Sequence, residues 1–332
     1  MKTGCAQPAN KNMEARNQTN GLKPEFQVEG NIVYRTEIRN PSGTELIQHS
    51  RRFMVARKGR QWKIRTTNLQ SDRFAYGNEY DEMGCDGETI HQVKSYDETN
   101  PNLSDVKNII ATQGWVRHGN APTGFDLNFF YPLWIAYCSS SHFLAAKDNQ
   151  VAAPLFNTMN SLLDSARPPF CLPAKWKQNE SNFISEVLWQ SEGKYLSAEI
   201  GANRLETYPP PFNAGFLHAK FETKDWIGFA EMLLPKDFVL TVFGPNWPAE
   251  GEAKCVVSYT TEAKVQAVRP ADNFSFLPEL TKITRITDTR YRLCSPCSGH
   301  PTYASLAWMT EDEVEAKSQS MGIKYEKQTS PI

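Results

Sequence analysis

Two cysteines separated by two residues, Cys294 and Cys297 in the stretch CSPC, have a spacing that can support redox or metal chemistry. In a redox site of this type the first cysteine begins a helix, whose dipole and backbone N–H groups stabilise the thiolate. Here Gly299 and Pro301 follow closely, and both residue types oppose a continuing helix. No βαβ pattern surrounds the motif, so the sequence argues against a redox role.

The same stretch offers part of a zinc site. Cys294, Cys297 and His300 are three ligands of the right type in one loop, but a structural zinc ion needs four ligands and usually a second pair. The sequence shows no such pair, so we expect neither a metal ion nor another cofactor. The pattern instead favours a disulfide at Cys294 and Cys297, either to each other or to a distant cysteine.

A different cysteine chemistry is suggested near the start of the sequence. Thr3, Gly4, Cys5 and Ala6 resemble the end of a bacterial lipobox, in which a small residue and Gly precede a lipidated cysteine. Lys2 stands where Leu is expected, and no apolar stretch comes before the motif. Cys5 is therefore a candidate lipidation site. The alternative is a chance match, and under either interpretation residues 1–23 are predicted to be a disordered polar tail.

Basic side chains are concentrated in one stretch. No acid occurs between Glu45 and Asp72, and a hairpin there would gather the cations into a positive patch. Such a patch can contact an anionic membrane surface, each cation contributing about 1 kcal/mol. The alternative is a solvated outer sheet face, where charges prevent edge-to-edge aggregation. The residues proposed for membrane contact are Arg51, Arg52, Arg57, Lys58 and Arg60.

The composition and motifs exclude some functions and favour others. The formal net charge is −1, whereas a nucleic-acid-binding protein is usually basic, so we expect no nucleic-acid partner. The sequence lacks a zinc-protease helix, a nucleophile elbow, a P-loop and a dinucleotide-binding motif. We therefore predict a protein that is not an enzyme. The alternative is an enzyme whose catalytic groups converge only in the fold.

The elements that would position these residues are mainly strands. From Phe26 to Arg39 apolar and polar residues alternate, which is typical of a strand with one buried face. Successive strands are separated by short stretches of turn residues, at 40–43, at Lys58-Gly59 and at Asp86-Gly87. The first hundred residues therefore predict a meander of long antiparallel strands.

Helices are predicted in the middle and at the C-terminal end. A helix is expected from about Leu133 and a second one over 154–166, and strands follow again from about residue 183. Thr310 and Glu313 form a capping box that opens a short helix.

The predicted fold class is α+β, mainly β: one long, curved antiparallel β-meander, half-barrel-like, with helices packed on its concave face. The alternative is two meander domains joined near residues 165–180. The predicted units are 1–23, a tail; 24–310, one curved-sheet domain with a helical insertion at about 127–170; and 311–332, a short helix and tail.

The N-terminal meander resembles a known family. Three stretches carry the resemblance: the pattern F-x-V-x-G-x-I from Phe26 to Ile32, the hairpin CDGETIHQV from Cys85 to Val93 and the closing FSFLP from Phe274 to Pro278. They are similar to the periplasmic carrier proteins of outer-membrane lipoproteins (LolA/LolB-like). The resemblance frames residues 26–95 and 254–292, and the middle does not match. It implies a half-open barrel with an apolar concave face, capped by helices, that binds acyl chains in the bacterial envelope. No functional residue of that family can be placed on this sequence.

One set of residues would line such a cavity. If the helices stand off the sheet, the inward-facing side chains suit a lipid, and if they pack tightly, the same side chains form an ordinary core. We therefore predict binding of a lipid or lipoprotein acyl chain by a periplasmic or outer-membrane-anchored protein. The alternative is a structural or interaction protein with a filled core. The candidate ligand-binding residues are Phe26, Val28, Ile32, Tyr34, Ile38, Phe53, Val55, Trp62 and Ile64.

Overall fold

A computed structural model describes most of the chain. The described residues are 25–40, 43–69, 78–96, 112–122, 127–146, 149–153, 171–199, 202–248, 251–294 and 299–328. The second helix predicted over 154–166, the lipobox residues and Cys297 lie outside them.

The first six strands form the predicted meander. Gly59 and Gly87 have positive φ angles (60° and 111°), the backbone conformation that glycine adopts without strain, at the two predicted turns. Each strand pairs antiparallel with the next. The strands are β1 (Glu25–Asn40), β2 (Gly43–Lys58), β3 (Gln61–Asn68), β4 (Asn78–Cys85), β5 (Thr89–Tyr96) and β6 (Gln113–His118).

The middle of the chain holds the helix that matters most for the fold. Helix α1 spans Leu127–Tyr137, followed by α2 (Ser140–Ala145) and the short strand β7 (Gln150–Ala152). The predicted start of this helix at about Leu133 is therefore wrong by six residues. The helix is apolar on all sides, so its sequence lacks the amphipathic period that would mark its first turn.

Strands return after the helices. The predicted return to strands from about residue 183 agrees with the structure, and a tight turn at Ala230 and Glu231 connects two long strands. The elements are β8 (Cys171–Gln178), β9 (Ile184–Ser191), β10 (Lys194–Glu199), β11 (Ala202–Thr207), a 3₁₀ helix (Phe212–Ala214), β12 (Phe216–Phe229), β13 (Met232–Asn246) and β14 (Lys254–Arg269).

The C-terminal elements form a small layer of their own. The predicted capping box is confirmed: the N–H of Glu313 donates to Thr310 Oγ1, and the N–H of Thr310 donates to the Glu313 carboxylate. Strand β18 lies in what was predicted to be tail and pairs with β16. The elements are β15 (Thr284–Asp288), β16 (Tyr291–Leu293), β17 (Thr302–Ser305), α3 (Glu311–Ser320) and β18 (Tyr325–Lys327).

The strands before and after the helices belong to one large curved sheet. Its fourteen strands have the order β17-β15-β6-β5-β4-β3-β2-β1-β14-β13-β12-β9-β8-β7. The preferred prediction of one curved, mainly β sheet is confirmed. One detail differs, because β15 pairs parallel with β6 and makes the sheet mixed. That pairing joins residues about 170 positions apart, which no local pattern signals.

Helix α1 contacts strands β1, β2, β3, β9, β13 and β14, so it lies across the centre of the sheet. We call the sheet face that contacts α1 the inner face and the opposite one the outer face. The register of β1 against β14 shifts at Gly30, where an added Cβ would lie 2.1 Å from the carbonyl oxygen of Lys264. Such a bulge increases the local bend and twist of a strand.

Within the parts of the chain that the structure describes, no helix combines the length and the apolar character that crossing a membrane requires.

Candidate functional site

The residues predicted to bind a ligand lie together on the inner face. Eight of the nine have exposed fractions of 8% or less and belong to one apolar cluster with α1. The side chain of the ninth, Ile38, falls outside the described residues. Sequence periodicity therefore identified the face correctly, and the structure adds what covers it.

Helix α1 is buried on every side. Every residue from Phe129 to Cys138, other than the internal Pro132, is at most 6% exposed, and Pro132 is buried as well. Aromatic rings join the helix to strands on both sides: Tyr137 lies 5.9 Å from Phe26 of β1 and 5.8 Å from Phe238 of β13, centroid to centroid. The helix thus occupies the space that the sequence prediction left open between sheet and helices.

A few polar groups tie α1 in place. The hydroxyl of Tyr137 donates to the carbonyl of Pro235 at 2.7 Å, and the indole N–H of Trp134 donates to the carbonyl of Asn120 at 2.9 Å. The hydroxyl of Tyr131 donates to the carbonyl of Ala152. Burial raises the pKa of Tyr131 and of Tyr137 well above the ordinary value, which keeps both hydroxyls protonated as donors.

Two arginines of the predicted basic patch point inward. Arg51 is 5% exposed, donates to Asp81 Oδ2 at 2.7 Å and lies over the ring of Phe129 at 4.4 Å. Arg57 donates to the carbonyl of Tyr137 at 2.6 Å, at the C-terminal end of α1. Cations at a helix C-terminus are favourable, since the last carbonyls lack partners within the helix.

The basic run therefore does not form one continuous surface patch. Strand residues alternate between faces, so Arg51 and Arg57 lie inside while Arg52, Lys58 and Arg60 are exposed. Lys58 pairs with Glu25 at 3.1 Å. Arg51 and Arg57 are corrected from surface residues to inner-face residues, and membrane contact by the other three stays a prediction.

A recess opens beside the C-terminal end of α1. It is shallow and open to solvent rather than an enclosed cavity. Arg60 lies flat against Gly87, whose missing side chain makes room for it: a Cβ there would be 3.3 Å from the Arg60 Cβ. His142 Nδ1 and Asn120 Oδ1 are 3.3 Å apart. The recess is lined by Arg60, Trp62, Gly87, Asn120, Cys138, Ser141 and His142.

The buried cysteines Cys85 and Cys138 are unreactive in character. Burial raises the pKa of both Cys85 and Cys138 to about 12, which suppresses the thiolate that nucleophilic chemistry needs. Cys294 is free, and the predicted disulfide is untested because Cys297 lies outside the described residues. Among the described side chains no group of three or more His, Cys, Asp and Glu could hold a metal ion.

The outer face of β4, β5 and β6 is also buried, which the sequence did not reveal. An added Cβ at Gly84 would lie 1.6 Å from the carbonyl oxygen of Phe276, so the segment Phe274–Pro278 rests directly on the strand backbone. The indole N–H of Trp308 donates to the carbonyl of Pro278 at 2.8 Å. A glycine inside a strand is a signal of such close backbone approach, and Gly84 carried it.

Comparisons with known proteins give little more than a distant likeness of structure. No protein-family model matches the sequence, and neither does any curated protein. The chain is similar to a crystal structure of a DUF1329 family protein from Desulfovibrio piger, with 10% sequence identity and a TM-score of 0.25. The similarity covers 76% of this chain and 88% of that one. At this level the likeness assigns neither a family nor a function.

Proposed function

We propose that this protein binds an acyl chain of a lipid or lipoprotein in the bacterial cell envelope without acting as an enzyme. In this proposal α1 occupies the inner face when no ligand is bound and moves aside for the acyl chain. The observation that carries the proposal is the enclosure of a mainly apolar helix by a curved sheet face rich in apolar side chains.

The chemistry of the inner face supports an apolar ligand. Along β1 and its neighbours, a large cluster of hydrocarbon and aromatic side chains packs with α1, and Arg51 and Arg57 contact the helix as well. An acyl chain presents the same kind of surface as the helix that it would replace. Burying apolar area contributes about 25 cal/mol per Å² in either complex, so an acyl chain would gain free energy on this face in the same way as the helix does.

The attachment of α1 supports its movement. The helix contains Pro132, which has no N–H to donate and so weakens the backbone hydrogen bonding within the helix. Its side-chain hydrogen bonds run to backbone carbonyls outside the helix, at Asn120, Ala152 and Pro235, and each contributes about 1 kcal/mol. These bonds can be exchanged for water once the helix leaves.

The proposed location follows from the ligand and from surface residues. A periplasmic or outer-membrane-anchored protein would meet acyl chains and anionic headgroups, and lipidation of Cys5 would provide an anchor. The exposed Arg52, Lys58 and Arg60 would contribute attraction to an anionic surface.

A second function is favoured by a specific observation. The predicted ligand residues are already buried, and the inner face of the described strands is filled by α1. An interaction or structural protein with a tight core would have this arrangement, and α1 would then be a permanent part of it. Ligand binding therefore has to be tested at the helix itself.

Tryptophan positions provide such a test. Fatty acids brominated in their acyl chains quench tryptophan fluorescence on contact. Trp62 of β3 lies on the inner face that α1 covers and is 2% exposed, whereas Trp247 is 44% exposed. The proposal predicts saturable quenching that decreases in Trp62→Phe and is unchanged in the matched control Trp247→Phe. Absence of saturable quenching, or loss of it only in Trp247→Phe, would support the filled-core alternative.

A further inference from the structure

The recess beside α1 has the groups that recognise an oxyanion. The guanidinium of Arg60 makes a single hydrogen bond among the described residues, a long one of 3.4 Å to the carbonyl of Gly87. A guanidinium carries five N–H donors in a planar fork, so most of them are available to a ligand. Carboxylates and phosphates match this fork with paired, charge-assisted hydrogen bonds.

The neighbouring side chains add neutral donors. Asn120 Oδ1 lies next to His142 Nδ1, so the amide NH₂ of Asn120 is directed away from that contact. Ser141 is exposed at the rim and carries a hydroxyl. Among the described residues that line the recess, none carries a carboxylate. Two acids, Asp86 and Glu88, stand on either side of Gly87 in the hairpin, and Asp86 Oδ1 accepts the N–H groups of Glu88 and Thr89 at 2.8 and 2.7 Å.

The position of Arg60 is built into the hairpin. Its side chain lies across Gly87, with the Arg60 Nε and Cζ 3.5 and 3.8 Å from where a Cβ would be. Gly87 has a φ of 111°, which other residues rarely adopt. The wall behind the recess also holds a cation, because Arg57 donates to the carbonyl of Tyr137, the residue before Cys138. Two cations, Arg57 and Arg60, therefore lie near the end of the groove that α1 fills, with the acids Asp86 and Glu88 in the adjoining hairpin.

We propose that this recess binds a phosphate group, with Arg60 as the main contact and with Asn120 and Ser141 as additional donors. The phosphate can belong to a phospholipid headgroup or to a free phosphomonoester, and both present the same oxygens to the fork. The headgroup source rests on the proposed function, since the recess lies beside the end of α1, where a bound acyl chain would emerge.

Binding constants for three probes test the proposal: inorganic phosphate, glycerol phosphate and the soluble short-chain lipid dihexanoyl phosphatidylglycerol. We expect Arg60→Gln to weaken binding of each bound probe about tenfold, the effect of losing a charge-assisted hydrogen bond. The control is Lys58→Gln, which removes a nearby exposed cation that pairs with Glu25, and we expect less than a twofold change.

Each outcome has a defined meaning. Tighter binding of the lipid than of the two small phosphates identifies a headgroup site, and equal binding identifies a site for free phosphates. No binding of any probe, or equal losses in Arg60→Gln and Lys58→Gln, overturns the proposal. Quenching by brominated fatty acids is measured in Arg60→Gln as well. Unchanged quenching there, combined with no phosphate binding, rejects this site while the proposed function stands.

Discussion

The inner face around α1 and the outer face of β4 to β6 are both buried, but they are covered in different ways. The inner face is filled by large apolar side chains of a helix, including Phe130 and Trp134. The outer face is covered by a chain segment that lies against backbone at Gly84 and encloses titratable groups such as His91 and Glu82. Both faces hold buried ionisable groups, since Arg51 and Asp81 form an ion pair on the inner face. The difference is that the inner-face cover consists mainly of apolar side chains, which another apolar body can replace, whereas the outer-face cover fits closely against the strand backbone at Gly84.

Of the changes considered, adding a side chain at Gly84 on the outer face should lower the free energy of unfolding most. In Gly84→Val the new Cβ would meet the carbonyl oxygen of Phe276 at 1.6 Å, and backbone atoms cannot yield as flexible side chains do. We expect a loss of at least about 5 kcal/mol in the free energy of unfolding, or no folded protein. Urea unfolding measures it. Gly228→Ala, which has no atom within 4 Å of its new Cβ, is the control and should change little. A loss below 1 kcal/mol in Gly84→Val would refute the close packing.

Truncating a side chain of α1 should lower the free energy of unfolding somewhat less than Gly84→Val does, because the side chains of the inner face can relax around the space left. Phe130 is fully buried, and Phe130→Ala should lower the free energy of unfolding by about 4 kcal/mol. Leu144→Ala in α2 is the matched control, since Leu144 is 63% exposed and should contribute under about 0.5 kcal/mol. If both variants lose the same amount in urea unfolding, α1 is not packed as described.

Acid should weaken the outer-face packing through His91. Its ring lies 5.1 Å from that of Trp308, and burial lowers the pKa of His91 to about 4, against an ordinary value near 6.5. The unfolded chain therefore takes up this proton first, so stability is full above pH 6.5 and falls as the pH drops toward 4. Between pH 6.5 and pH 4 this titration should lower the free energy of unfolding by about 3 kcal/mol, and His91→Phe should not show that decrease. Parallel unfolding curves for both proteins across that pH range would contradict the assignment.

The cap of α3 should show the smallest effect. Thr310 accepts the N–H of Glu313 at 3.3 Å, and replacing an N-cap Thr by Ala costs about 1 kcal/mol. Thr310→Ala should therefore reduce the free energy of unfolding by about that amount, and Thr302→Ala, at an exposed strand position, should not. Because α3 belongs to the outer-face layer, the loss should also appear as faster hydrogen exchange in α3 before any change in α1.

The strand pattern made the inner face predictable. Phe26, Val28, Ile32 and Tyr34 alternate with polar residues, and the pleat of a strand turns that alternation directly into one buried face. The turns at Gly59 and Gly87 were predictable for a related reason, since their backbone conformation needs glycine. The capping box at Thr310 and Glu313 is an equally local signal.

The parts that depend on distant contacts were not predictable. Helix α1 is apolar all round, so no periodicity marked its start at Leu127. The parallel pairing of β15 with β6 joins residues far apart in the sequence, and Gly84 signals a close backbone approach without indicating which segment makes it. The sequence predicted Arg51 and Arg57 to be surface cations. Their partners, Asp81 and the carbonyl of Tyr137, become their neighbours only in the folded chain.

Hydrogen exchange of α1 with and without a fatty acid tests the central claim most directly. If an acyl chain replaces α1 on the inner face, the amides of residues 127–137 should exchange faster when the fatty acid is bound. The amides of β1 and β14, which flank α1, should stay protected. Unchanged or slower exchange throughout α1 at a saturating fatty acid concentration would contradict the account and make α1 a fixed part of the core.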